Sequence, residues 1–170
     1  MTRIRERLLK KLADAIRKTY NLTNPASMDK LVNLLGGKIK TEDFLDRTIQ
    51  SKVRITDGSF SISIKEKEPE RQFMIAKCIG HLVIHLGYSP DKKDYEVIEY
   101  SDSPLYRQGY SEEDVEATFF AEELLLPEDE FLEAYDKNRE LIKLAEVFGV
   151  SVHLIRIRCS WFGLAGGYCW

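Results

Sequence analysis

The pattern of apolar and polar positions divides the chain into helical stretches at both ends around a short run of strands. Between Thr2 and about Tyr20, Ile4, Leu8, Leu12 and Ile16 recur every fourth residue among Arg, Lys and Glu, which predicts an amphipathic surface helix with a solvated basic face. Asn24 followed by Pro25 reads as a helix cap and a first-turn proline. Leu31, Val32, Leu34 and Leu35 give that short helix an apolar face, and Gly36-Gly37 closes it. Lys38 to Lys40 begin a strand. Val53 and Ile55, then Asp57-Gly58, then Phe60, Ile62 and Ile64 alternate at period two on both sides of a two-residue turn, so a hairpin is expected at about 51–65 in a small antiparallel sheet.

After Pro69 the pattern changes. From Arg71 to Leu86 the residues Phe73, Ile75, Ala76, Ile79, Leu82, Val83 and Ile84 cover most of a helical circumference, the mark of a helix buried on nearly every side that stops near Gly87. Lys77, His81 and His85 interrupt it at four-residue spacing and fall on one stripe, with Cys78 beside them. Residues Tyr88 to Tyr110 carry Pro90, Pro104, Gly109 and five tyrosines and form a long connection, in which Tyr95 to Tyr100 make a weak edge-strand pattern.

Ser111 caps the next helix, with Glu112, Glu113 and Asp114 in its first turn. The helix ends at Leu126-Pro127. A helical wheel places Ala117, Ala121, Leu124 and Leu125 on the buried side, with Asp114 and Thr118 in that sector and Glu116 and Glu123 pointing away. Asp114 is thus the inward carboxylate, although a helix-dipole role would also account for it. Phe131, Leu132 and Tyr135 form another short helix. Over the closing segment, about 137–162, Leu141, Leu144, Ala145, Val147 and Phe148 run into Gly149, and Ser151 caps a last helix with Arg156 and Arg158 outward. That outline matches a helix-turn-helix, but without a wider basic face simple helix packing is the favoured reading and direct nucleic-acid binding the lesser one. The tail from Trp161 to Trp170 is expected to fold back on the core.

Composition narrows the class. With 170 residues, 44% hydrophobic, 31% charged and a net charge of -3, this is the profile of one globular domain that does not span a membrane and has no basic excess to attract nucleic acid; the element pattern makes it α+β, mainly helical. The charged amino end runs straight into an amphipathic pattern with no apolar leader, and Cys78, Cys159 and Cys169 have no metal-knuckle or redox-pair spacing, which places the chain in the cytoplasm.

The polar stripe raises a metal question. A zinc-binding helix commonly reads His-Glu-x-x-His, because one turn brings both imidazoles to one ion and keeps a glutamate beside it as base. The five residues ending at His81 are Lys77-Cys78-Ile79-Gly80-His81, so a lysine stands at the first ligand and a cysteine at the base. A protonated lysine has no lone pair to give. His81 and His85 form an alternative pair one turn later, with Asp114 or Cys78 as further ligands, but Leu82 stands where the base would be. Two histidines hydrogen-bonded in a half-buried groove, or a Cys78–His81 pair oriented by Asp114, also answer to the spacing.

Three segments together resemble the ImmA/IrrE-type metallopeptidases over nearly the whole length. Glu70 to His85 is similar to the zinc helix of that family, Asp114-Val-Glu-Ala-Thr-Phe-Phe-Ala-Glu-Glu-Leu-Leu-Leu-Pro127 to its Glu-x-x-Ala-Asn-x-Phe-Ala-x-x-Leu-Leu-Met-Pro helix, and Leu144 to Ser151 with Arg156-Ile-Arg158 to its closing helical pair. The resemblance implies a zincin-like fold. It places His81 on the second zinc histidine, Lys77 on the first, Cys78 on the catalytic glutamate and Asp114 on the third ligand, one methylene shorter than the usual glutamate. It therefore implies a degenerate member without a metal or catalysis, Lys77, Cys78 and Glu116 belonging to a binding surface. Its expected partner is a helix-turn-helix repressor of a mobile element, such as a phage, or of a stress response. A zinc peptidase with relocated ligands His81, His85 and Asp114 is the alternative. If no ion is present, Lys77 is expected to fill its space and pair with Asp114.

Overall fold

The computed structural model describes residues 1–47, 49–66, 70–91, 97–102 and 111–167. Pro69, Tyr95, Pro104, Gly109 and Cys169, and with them part of the long connection and the end of the tail, lie outside the described residues.

Helix α1 spans Arg3–Thr19, with the Thr2 hydroxyl accepting from the Arg5 N–H as its cap. Its basic face is not wholly solvated: Arg17 is buried, donating to the Leu124 carbonyl at 2.8 Å and to Glu130 at 3.0 Å. Helix α2, Met28–Leu34, begins later than the Asn-Pro pair suggests. Ser27 caps it by accepting from Lys30, while the Asn24 amide is spent on Arg17 and Glu130. Strand β1, Gly37–Thr41, follows at once.

Strands β2, Ser51–Thr56, and β3, Ser59–Ile64, form the expected hairpin, and both turn residues, Asp57 and Gly58, have positive φ, as a tight turn that follows strand twist requires. The sheet is mixed, not antiparallel. Its order is β1-β3-β2-β4, with β1 parallel to β3 and the late strand β4, Ile98–Asp102, antiparallel to β2. Local alternation reveals a strand but not its neighbour, so the parallel pairing had no signal in the chain.

Helix α3, Arg71–Gly80, packs against β2 and β3 and widens into a π turn, His81–His85. Helix α4, Glu112–Leu125, lies against α3, and α5, Glu128–Lys137, α6, Leu141–Phe148, and α7, Val152–Trp161, complete the chain. The architecture is α+β and mainly helical. One core cluster takes Met28 and Leu31 from α2, Val53, Ile55 and Ile62 from the sheet, Ile75, Ile79 and Leu82 from the α3 region, Phe120 and Leu124 from α4, and Phe131, Phe148 and Ile155 from the last three helices. The tail folds back as far as it is described, with Tyr135 donating to the Ala165 carbonyl. Among the described residues no helix is long and apolar enough to cross a membrane.

Two inward charges depart from the helical wheel. Arg158 of α7, expected outward, is buried and donates to buried Glu123 of α4 at 2.7 Å, and Glu122 beside it is buried as well. Long charged side chains can turn inward where a facing helix offers a partner, which a wheel of one helix does not register. Of the two arginines only Arg156 is exposed, so α7 does not present the pair that a groove-reading helix would use.

Candidate functional site

Small residues set the distance between α3 and α4. A Cβ added to Gly80 would lie 3.1 Å from Ala117 Cα, so the glycine lets the helices approach closely, and Asp114, one turn before Ala117, arrives over Lys77 and His81. Asp114 is itself fixed at the helix start, its N–H donating to the Ser111 hydroxyl at 3.1 Å.

Three groups converge on one carboxylate oxygen. Lys77 Nζ is 3.1 Å from Asp114 Oδ1, Tyr100 of β4 donates its hydroxyl to the same oxygen at 3.3 Å, and His81 Nε2 is 3.4 Å from it. The expected Lys77–Asp114 pair is therefore present, with both residues less than a tenth exposed. Burial pushes the Asp114 carboxyl up, but His81 and the Lys77 ammonium outweigh it and hold the group at about 2. His81 lowers it only with a hydrogen on Nε2, which then points at Asp114 Oδ1 across 3.4 Å.

Tyr100 stacks on the His81 ring, centroids 3.9 Å apart, and closes the site from the sheet side. His81 and His85 face each other through Nδ1 atoms 3.2 Å apart, a separation set by the π turn, in which Leu86 N–H bonds back to His81 O. His85 Nε2 then reaches Glu116 at 3.1 Å. Glu116 does not point away as the wheel had it: it also accepts both ends of the Arg5 fork, at 2.6 and 2.7 Å, and that guanidinium, with His85, holds its carboxyl at about 2. Cys78 turns from this group toward the sheet, its thiol donating to the buried Ser51 hydroxyl at 3.3 Å.

Ring protons decide what the two histidines offer. Glu116 as a carboxylate only accepts, so His85 Nε2 carries a hydrogen; a neutral His85 then accepts at Nδ1 from His81. If that is the one hydrogen His81 carries, its Nε2 is left with a lone pair and no longer draws on Asp114; that fully buried nitrogen has no hydrogen-bond partner. Its 3.4 Å from Asp114 Oδ1 matches the spacing of two ligands on a tetrahedral zinc with bonds of roughly 2.0–2.1 Å. The rest of the donor set does not fit. The place of another ligand is taken by an ammonium already bound to Asp114, and His85 has spent one nitrogen on Glu116 and the other on His81. No described residue brings a third donor: no cluster of three or more metal-type side chains is present among the described residues. A zinc-activated water is therefore not part of the chemistry derived for this groove, and Cys78, facing Ser51, does not stand where a base would act.

Of the residues that spacing groups together, Lys77, His81, His85 and Asp114 meet here and Cys78 does not; Glu116, which the wheel turns away, joins them. Tyr100 and Arg5 went unforeseen. Tyr100 lies in a strand of poor pattern among five tyrosines, and Arg5 is one of several basic residues on α1, so neither had a distinguishing signal.

The sequence model of the IrrE N-terminal-like domain matches residues 51–160, more than half of the chain, from the hairpin to the end of α7. A search of curated proteins gives no match.

Proposed function

Since the chain belongs to the family of IrrE N-terminal-like domains, we propose that it is a catalytically silent member that acts by binding a protein, in the regulation of a mobile element or a stress response through a helix-turn-helix repressor. The observation that carries this is the Lys77–Asp114 ion pair at 3.1 Å. An ammonium on that carboxylate satisfies it without an ion, and it repels any cation that would compete for His81 Nε2. Replacement of the base position by Cys78, turned toward Ser51, supports the same reading.

What such a groove retains is shape and a fixed charge pattern: a neutralised centre at Lys77, Asp114 and His81, and a rim of Glu116 and Arg5. A binding site needs no more than that. The test mixes the purified protein with purified helix-turn-helix repressors from the same genome and follows both by size-exclusion chromatography and mass spectrometry, with and without added zinc. Co-elution with an intact repressor is expected. Zinc-dependent, chelator-sensitive cleavage of the repressor would overturn the proposal, and so would the absence of any complex.

A further inference from the structure

The two faces of the sheet carry opposite chemistry. Val53, Ile55 and Ile62 point toward α3 and are fully buried, so alternation turns Arg54 and Ser61 to the opposite face. The register lines up Lys38, Ser61 and Arg54 across three strands, with Ser59 opposite Thr56 beside them. Together with Lys40 they line a shallow concavity of about 300 Å³. Lys38, Lys40 and Arg54 are exposed, and among the described residues none has a carboxylate at ion-pair distance, whereas neighbouring Lys52 is taken by Glu42 and Glu99. In a chain of net charge -3, three unneutralised cations on one face form a local positive field.

The same face ends in an open edge. Among the described residues, strand β1 is outermost and pairs only with β3. Glu42 N–H donates to the Ile64 carbonyl, so by alternation Ile39 and Thr41 direct their N–H and C=O away from β3, where no described backbone group meets them. Lysines at alternate positions on such an edge repel another copy of β1, whose lysines they would face, and attract a strand that carries acids at the same spacing.

We propose that the open edge of β1 takes up an extended acidic segment of a partner protein as a fifth strand, its alternate carboxylates facing Lys38 and Lys40 with Arg54 strengthening the field behind them. The backbone of Ile39 and Thr41 supplies the hydrogen bonds and the lysines the selectivity. Single-stranded nucleic acid fits less well, because the face offers bases no exposed ring to stack on: Phe60, which borders the concavity, and Phe44, beside Lys52, are both buried. The surface lies across the sheet from the Lys77–Asp114 groove and does not depend on the function proposed for it.

A fluorescein-labelled peptide of alternating Glu and Val tests this, by anisotropy and by amide shifts in NMR. Expected are shifts concentrated at Ile39 and Thr41, and binding weakened about tenfold by Lys38→Glu/Lys40→Glu, by Gln in place of Glu in the peptide, and by salt. N-methylation of alternate peptide amides should weaken it similarly. Lys38→Gln/Lys40→Gln, which is milder for the fold, should weaken it in the same direction, with an unchanged unfolding midpoint. Shifts centred elsewhere, equal affinity for the Gln peptide, or a dT oligonucleotide that displaces the Glu peptide would each overturn the proposal.

Discussion

Helix α4 carries two acidic clusters, one half-buried and one fully buried, and they titrate in opposite directions. Near its start, Asp114 and Glu116 are each held at about 2, because Lys77, His81, His85 and Arg5 surround them with donors. Near its end, burial pushes Glu122 up to about 7 and raises Glu123 too, since the two share one guanidinium, Arg158, and repel each other. One oxygen of each of these two glutamates, and Arg158 Nε, has no hydrogen-bond partner. The same helix thus gives opposite shifts, because the first pair is less deeply buried and has a cation for each carboxylate, whereas Glu122 and Glu123 are enclosed and share one. The first cluster is complete and neutral without an ion; the second is short of positive charge.

The largest effect is expected where charge is scarcest. Arg158→Met leaves two buried carboxylates without their cation and should cost about 3–5 kcal/mol in urea unfolding at neutral pH. A loss below about 1 kcal/mol would show that the glutamates are already neutral there. Lys77→Met should cost somewhat less, about 3 kcal/mol, because Tyr100 and His81 still contact Asp114. Lys77→Met/Asp114→Asn should recover most of that loss, since no buried charge remains, and an additive double variant would break the pairing argument.

The pH profile sharpens the contrast. Asp114 and Glu116, with folded values below the unfolded ones, contribute stability that is present above about pH 4.5 and lost as pH falls toward about 2. Screened by solvent, the two together are worth about 1–2 kcal/mol. Glu122 acts the other way. The unfolded chain releases its proton near 4.5 and the folded one near 7, so stability falls as pH rises through that window, by up to about 3 kcal/mol. Chemical denaturation across this range should therefore peak near pH 4.5, and Glu122→Gln should flatten the descent while leaving the acid limb in place. A profile that rises to neutrality in the wild-type protein would contradict the second cluster.

These clusters also mark how far the chain could be read. The four-residue spacing of Lys77, His81 and His85, and the first-turn position of Asp114 opposite small Ala117, are local features, and they led to the first cluster. Nothing local distinguishes Arg158 from Arg156 or marks Glu123 as its partner: that choice depends on α7 docking beside α4, a contact between residues far apart in sequence. The hairpin and the Ser111 and Ser151 caps were legible for the same reason, being set within a few residues. The parallel β1–β3 pairing, the π turn that aims His85 at His81, and Tyr100 above them are tertiary outcomes. The pattern of a single element does not contain them.

The central claim, that Lys77 stands in for an ion and leaves no complete metal site, is tested most directly by zinc content after incubation with excess zinc and desalting. The expected result is no retained zinc and an unfolding midpoint unchanged by the metal. Near one zinc per chain, lost in His81→Ala, would contradict it.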